Sequence, residues 1–185
     1  MTICVFPGTF NPIHIAHLKM AQFVLENYGF EKVIFIPSYI PPHKQVDSNL
    51  AKHRYNMVKL ATESNPKFEI SDIEYKSEGK SYTLITVKKI KELYNIQDRL
   101  NFIIGTDAFK NIKTWYKADE LKELIHFIVF PRGEDKIYPS DFEGYDYELV
   151  NCEKLDISST ALRKNNNNGT INEVKEYILK NGLYN

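Results

Sequence analysis

The chain has 185 residues, 43% hydrophobic and 13% aromatic, which suffices for a core of its own and excludes a disordered segment. Its 24 basic and 24 acidic side chains cancel, so the clustered positive field that nucleic-acid binding requires is not expected. Apolar runs are too short to span a bilayer, and MTICVF lacks the basic and long apolar regions of a signal peptide, so no membrane association is expected.

Ile3 to Phe6 predicts a buried strand, and Leu18 to Tyr28 a helix before Gly29. Lys32 to Ile36 predicts a second strand closed by Pro37, and Leu50 to Glu63 a second helix with Tyr55, Val58 and Ala61 in register. Phe68 to Tyr75 alternates as a third strand, and Thr83 to Tyr94 has helical spacing. Leu100 to Ile104 and Phe127 to Phe130 predict two further strands. Ser159 to Lys164 and Ile171 to Lys180 predict closing helices, separated by the helix stop Asn165 to Gly169. The tyrosine-rich stretch Asp135 to Tyr147 fits either a surface loop or an interface.

Strands joined by crossovers of a dozen or more residues imply parallel pairing. The expected class is therefore α/β: one domain over residues 1–185, a Rossmann-like open parallel sheet with helices on both faces. Cys4 and Cys152, far apart and without a disulfide framework, read as inert thiols suited to a reducing cytoplasm. The sequence leaves the oligomeric state open, a homo-oligomer included.

In such sheets ligands bind beyond the carboxyl ends of the strands, near the switch in strand order. The segments PGTFNPIHIAH, PSYIPPHK, GTDAF and PRGED each follow a strand, so they would gather at one edge. In the first, Gly8 allows a close backbone approach, and the helix after it offers free N–H groups and a partial positive charge. His14 and His17 lie on one side of that start. They could hold a phosphate, cap and pack, or begin a metal set, although no Cys, Asp or Glu nearby completes the last. A hydrolytic pair would need a local nucleophile, and none is present.

Gly8-Thr9-Phe10-Asn11-Pro12-Ile13-His14-Ile15-Ala16-His17 resembles the signature of the nucleotidyltransferases, and Ile157-Ser158-Ser159-Thr160-Ala161-Leu162-Arg163 resembles their second motif. The motifs lie about 140 residues apart, in the family's order. The second also makes physical sense unaided, with hydroxyl caps at a helix start and the Arg163 fork one turn on, suited to phosphate oxygens. The resemblance implies transfer of a nucleotidyl group from a nucleoside triphosphate, with release of pyrophosphate, on a fold of nucleotidyltransferase type.

Further segments resemble the nicotinate-nucleotide adenylyltransferase branch in order and spacing: Ile40-Pro41-Pro42-His43-Lys44, Ser81-Tyr82-Thr83, Gly105-Thr106-Asp107, Thr114-Trp115, Pro131-Arg132-Gly133 and the tail Glu173 to Tyr184. The resemblance implies ATP and nicotinate mononucleotide as substrates, with Mg²⁺ bridging pyrophosphate oxygens. It places His14, His17, Lys44 and Arg163 as catalytic donors. ATP would meet Gly8, Thr9, Phe10, His17, Gly105, Asp107, Ile157, Ser158, Ser159, Thr160 and Arg163. Nicotinate mononucleotide would meet Lys44, Ser81, Tyr82, Thr83, Trp115 and Arg132, with Trp115 as a stacking surface.

Plain alternatives stand beside these roles. Lys44 could be a solvated loop lysine, Trp115 core, Asp107 a helix cap, and Ser81 to Thr83 an N-cap. Asn11, Ala16 and Ile85 stand where the branch more often has Asp, Gly and Asp. His53 and His126 read as structural or surface residues, and Arg54 as structural. A different acceptor, such as nicotinamide mononucleotide or phosphopantetheine, and a non-catalytic nucleotide-binding module are the competing functions.

Overall fold

The computed structural model describes residues 2–152 and 169–184. The second motif, with Ile157 to Arg163, and the helix expected over Ser159 to Lys164 lie outside the described residues.

Six strands form one sheet: β1 Ile3–Gly8, β2 Lys32–Pro37, β3 Phe68–Ile70, β4 Leu100–Gly105, β5 Ile125–Phe130 and β6 Tyr147–Leu149. Their order is β3-β2-β1-β4-β5-β6, and every neighbouring pair is parallel. The chain winds outward from β1 through β2 and β3, then crosses back to β4. The order therefore switches between β1 and β4, where the loops diverge and leave a crevice. Gly8 pairs level with Pro37 and Gly105 with Phe130, so four strands end on one line.

Helices α1 Ile15–Tyr28, α2 Ala51–Thr62 and α6 Asn172–Lys180 cover one face. Met20 and Val24, Met57 and Val58, and Val174 and Ile178 from these helices pack there on Cys4, Phe6, Val33, Phe35 and Ile103. Alternate strand residues Val5, Ile34, Phe102, Ile104 and Phe127 face the other way. They meet Leu84, Val87 and Ile90 of α3 Thr83–Leu93, Phe109 of the short α4 Thr106–Phe109 and Leu121 of α5 Ala118–Leu121. The period-two alternation of buried strands thus feeds two cores, one per face.

Two segments differ from expectation. Helix α1 starts at Ile15 rather than Leu18, because Ala16, His17 and Met20 already form its buried stripe. Strand β3 stops at Ile70: the Ser71 N–H donates to the Phe35 carbonyl, and the Ser71 hydroxyl then accepts from Ile73 N–H and turns the chain inward. The stretch Asp135 to Tyr147 is mostly exposed, as a surface loop would be, but the buried Phe142 anchors it to the core. Phe142 and Tyr147 set their rings 4.7 and 5.1 Å from that of Phe109, and β6 follows at once.

His53 and His126 hold structural positions. His53 Nδ1 lies 2.9 Å from the Tyr177 hydroxyl between α2 and α6, and His126 Nδ1 lies 2.9 Å from Asp146 Oδ1. Both cysteines are free thiols; Cys4 is buried, which pushes its thiol pKa up strongly, and Cys152 is half-buried with a smaller rise from the same cause.

Candidate active site

A cleft of about 820 Å³ opens at the carboxyl edge, between the ends of β1 and β4. Parts of all four expected loops line it: Gly8 to Asn11, Pro41 to Val46, Gly105 with Asp107 and Ala108, and Arg132. The strand order brings them together; no helix or sheet of its own builds the site.

The first loop is shaped by Gly8 and Phe10. Phe10 takes a left-handed backbone (φ 46°), and its buried ring folds back over Gly8. A Cβ on Gly8 would stand 2.8 Å from the Phe10 Cζ, so only glycine fits. Asn11, the departure from Asp, accepts a hydrogen bond from the Tyr184 hydroxyl. The loop ends at His14, extended at the N-cap of α1.

His14 and His17 stack with ring centroids 3.6 Å apart. The backbone N–H of His14 donates to His17 Nδ1 at 3.1 Å, which places the ring proton of His17 on Nε2. His17 also stands edge-on to Phe10 and lines the cleft. His14 is not among the described lining residues; it is 1% exposed, and among the described residues neither of its ring nitrogens has a partner. Burial first, and then the Arg132 charge, lower the His14 pKa from 6.5 to about 3. Burial, His14, Arg132 and Lys44, in that order, hold His17 well below its ordinary value. Both imidazoles are neutral donors near pH 7, in a positive field set by an arginine and a lysine. Ala16 between them is helical and buried, so α1 accommodates its methyl group.

Across the cleft, Gly105 precedes α4. A Cβ there would come 2.6 Å from Asp107 Oδ1 and 3.3 Å from Arg132 Cδ, so the missing side chain lets both close over the strand end. Arg132 Nε lies 3.7 Å from Asp107 Oδ2. The Thr106 hydroxyl donates to the Arg132 carbonyl and accepts from the Arg132 N–H, each at 2.9 Å.

The remaining expected residues Thr9, Lys44, Ser81, Tyr82, Thr83 and Trp115 also line the cleft. Trp115 is half-buried and faces the His43 ring at 6.4 Å and 25°. Ser81 is not the cap of α3; that place belongs to Tyr82. The Ser81 hydroxyl instead accepts from Tyr39 and Ile40 N–H at 3.0 and 3.1 Å, which fixes the loop leading to Lys44. Ile85 is exposed and not among the described cleft-lining residues. Two cleft-lining residues, Tyr116 and Glu74, and the buried Arg54 behind them were given no site role by the sequence. Tyr116 sets its ring 4.5 Å from Tyr82, and its place beside Trp115 was the available signal. Glu74 was hidden in an apparent strand, and Arg54 carries no motif.

Among the described residues, no three His, Cys, Asp or Glu side chains gather to hold a metal. The lining carboxylates are Asp107 and Glu74, and Glu74 is engaged by protein donors. A divalent ion fits this donor set only if a polyphosphate brings most of its oxygens. No helix among the described residues is long and apolar enough to cross a membrane.

The family model described as cytidylyltransferase-like matches residues 5–165. Fold, cleft and match together define a nucleotidyltransferase. The nicotinate-nucleotide adenylyltransferase of Bacillus subtilis is 39% identical over 189 residues, covering 98% of this chain and 97% of that protein. A protein of Caldicellulosiruptor saccharolyticus named as a probable enzyme of the same kind is 39% identical over 197 residues, covering 100% and 99%. Among solved structures, Plasmodium falciparum nicotinic acid mononucleotide adenylyltransferase complexed with NaAD matches at TM-score 0.81 and 25% identity, over 98% of this chain and 96% of that one. The chain belongs to the nicotinate-nucleotide adenylyltransferase family.

Proposed function

We propose a division of roles within the cleft for the reaction of this family, transfer of the adenylyl group of ATP to nicotinate mononucleotide with release of pyrophosphate. The observation that carries it is the bond from His14 N–H to His17 Nδ1, which leaves Nε2–H as the donor of a ring that lines the cleft at the strand-order switch. Gly8, Thr9 and Phe10 shape the loop that receives the triphosphate, and the start of α1 adds its partial charge. Asp107 takes the ribose hydroxyls beside Gly105. Ile157, Ser158, Ser159, Thr160 and Arg163 complete the phosphate donors. In support, Gly169, six residues beyond Arg163, gives its carbonyl to Ile15 N–H, next to His14. Lys44, Tyr82, Thr83, Trp115 and Arg132 receive the acceptor, with the Trp115 face under the pyridine ring, and Ser81 acts through its hold on residues 39 and 40.

The acceptor phosphate is already ionised near neutral pH, so it attacks the α-phosphorus in line without a general base. The bond from that phosphorus to the pyrophosphate oxygen breaks as the new one forms. Negative charge moves onto the leaving group, where His17, Lys44 and Arg163 stabilise it by hydrogen bonding and charge, while the buried His14 acts through its bond to and stacking on His17. Because the imidazoles are neutral, His17 acts as a dipolar donor, and the net positive charge comes from lysine and arginine. Mg²⁺, carried in on the nucleotide, would supply further neutralisation of the phosphate oxygens.

Residues 1–185 act as one domain in this reading, and two free thiols suit a reducing cytoplasm. Pyrophosphate release with ATP against a panel of nicotinate mononucleotide, nicotinamide mononucleotide and phosphopantetheine tests it. The expected result is fastest turnover with the first; equal or faster turnover with another acceptor overturns the acceptor assignment, and ATP binding without turnover favours a non-catalytic module.

A further inference from the structure

Behind the cleft, Arg54 of α2 is fully buried, at 0% exposure, and it is not among the described residues that line the cavity. Its Nη1 donates to the carbonyls of Thr9 at 2.8 Å and Ser38 at 2.5 Å, and its Nη2 to that of Tyr39 at 3.0 Å. Thr9 belongs to the loop after β1. Ser38 and Tyr39 begin the segment after β2 that runs to Pro41 to Lys44. One guanidinium thus joins the two loops from below, in addition to the backbone bond from Ser38 N–H to the Gly8 carbonyl.

The countercharge is also buried. Glu74 accepts from Tyr39 N–H at 3.3 Å and from the Thr86 hydroxyl at 2.8 Å, so the second loop is bonded in turn to α3. Core packing does not account for this pair. Helix α2 already packs through Met57, Val58 and Ala61, and an apolar side chain would avoid the desolvation cost of a buried ion. What an apolar residue cannot do is bridge three carbonyls of two separate segments. Lysine cannot do so in the same plane either, since it offers a point charge instead of a rigid fork.

We propose that Arg54 is a positioning residue for the transfer step, fixing the distance between the Thr9 loop that receives the triphosphate and the loop that carries Lys44. This rests on the assignment of those loops made above. In-line transfer depends on the two substrates being held at attack distance, and a misplacement of about 1 Å costs on the order of 100-fold in rate. Loss of the fork should act on turnover more than on affinity, because each loop still offers its own donors to its own substrate.

The test compares Arg54→Lys with Met57→Ala, a buried change one turn away on the same helix, each assayed well below its own Tm. The expected result for Arg54→Lys is a fall in kcat of about 10- to 100-fold, with KM for ATP and for nicotinate mononucleotide each within about threefold of wild type. Met57→Ala should lower Tm while keeping kcat within about twofold. A kcat for Arg54→Lys within threefold of wild type overturns the proposal, as does an equal loss in Met57→Ala. Should Arg54→Lys not be recovered folded, Arg54→Gln is judged by the same criteria. Failure of both to fold would make Arg54 a residue of folding alone and sink the idea. Wild-type protein that turns over no nicotinate mononucleotide overturns the reading of the site instead.

Discussion

The rings of His14 and His17 lie face to face, 20° from parallel, and the backbone N–H of the first donates to Nδ1 of the second. A stacked pair this close and this buried does not tolerate protonation, and that has a measurable consequence. An unfolded imidazole binds its proton near 6.5, whereas His14 in the fold binds it near 3. Between those values the unfolded state holds more protons, so the stabilisation is complete above pH 6.5 and is lost as pH falls toward 3. His17 adds to the trend with the same sign. Urea unfolding from pH 7 to 4 should show stability falling by up to about 1.4 kcal/mol per pH unit for each histidine. His14→Gln should flatten that slope; an unchanged slope would show that these imidazoles are not the groups responsible.

Removal of the Nε2–H donor should act on the chemical step. A hydrogen bond to a charged group contributes roughly 1.5–3 kcal/mol, so His17→Ala should lower kcat by about 10- to 150-fold with near-wild-type circular dichroism. Wild-type turnover in that variant would remove His17 from the catalytic set.

Gly105→Ala puts a methyl group 2.6 Å from Asp107 Oδ1, and Arg132 stands just beyond. Asp107 must move, and with it the proposed ribose contact. We expect KM for ATP to rise about 10-fold, in line with the loss of one good hydrogen bond, while KM for the acceptor changes little. An unaltered KM for ATP would move the ribose contact away from Asp107.

Thr106→Val keeps the shape of the side chain and deletes both bonds to the Arg132 backbone. A half-buried N–H and carbonyl lose their protein partner, which should cost about 1–3 kcal/mol in chemical unfolding. Activity should fall as well, since Arg132 loses its backbone anchor. Full stability in this variant would mean that water replaces the hydroxyl.

Much of this molecule is legible in the sequence because its strands are short, apolar and followed by turn residues. Gly8, Gly105 and the histidine pair announced the cleft, since glycine at a strand end lets a ligand approach the backbone and paired imidazoles add donors beside it. The departures came where tertiary bonds overrule local pattern. Phe68 to Tyr75 alternates well enough for a strand, yet the Ser71 turn sends Glu74 inward to meet Tyr39, 35 residues away. Arg54 was unreadable for the same reason: its three partners are backbone carbonyls, which leave no trace in residue identity. Tyr147 to Leu149 is a strand only because Val129 and its neighbours offer it an edge.

The bond from Tyr184 to Asn11 joins residues 173 positions apart. The loop after β1 is therefore held by a segment beyond α6, and it reaches its final shape only once those two distant parts have met. A change confined to Tyr184 would loosen the loop without touching any residue in it.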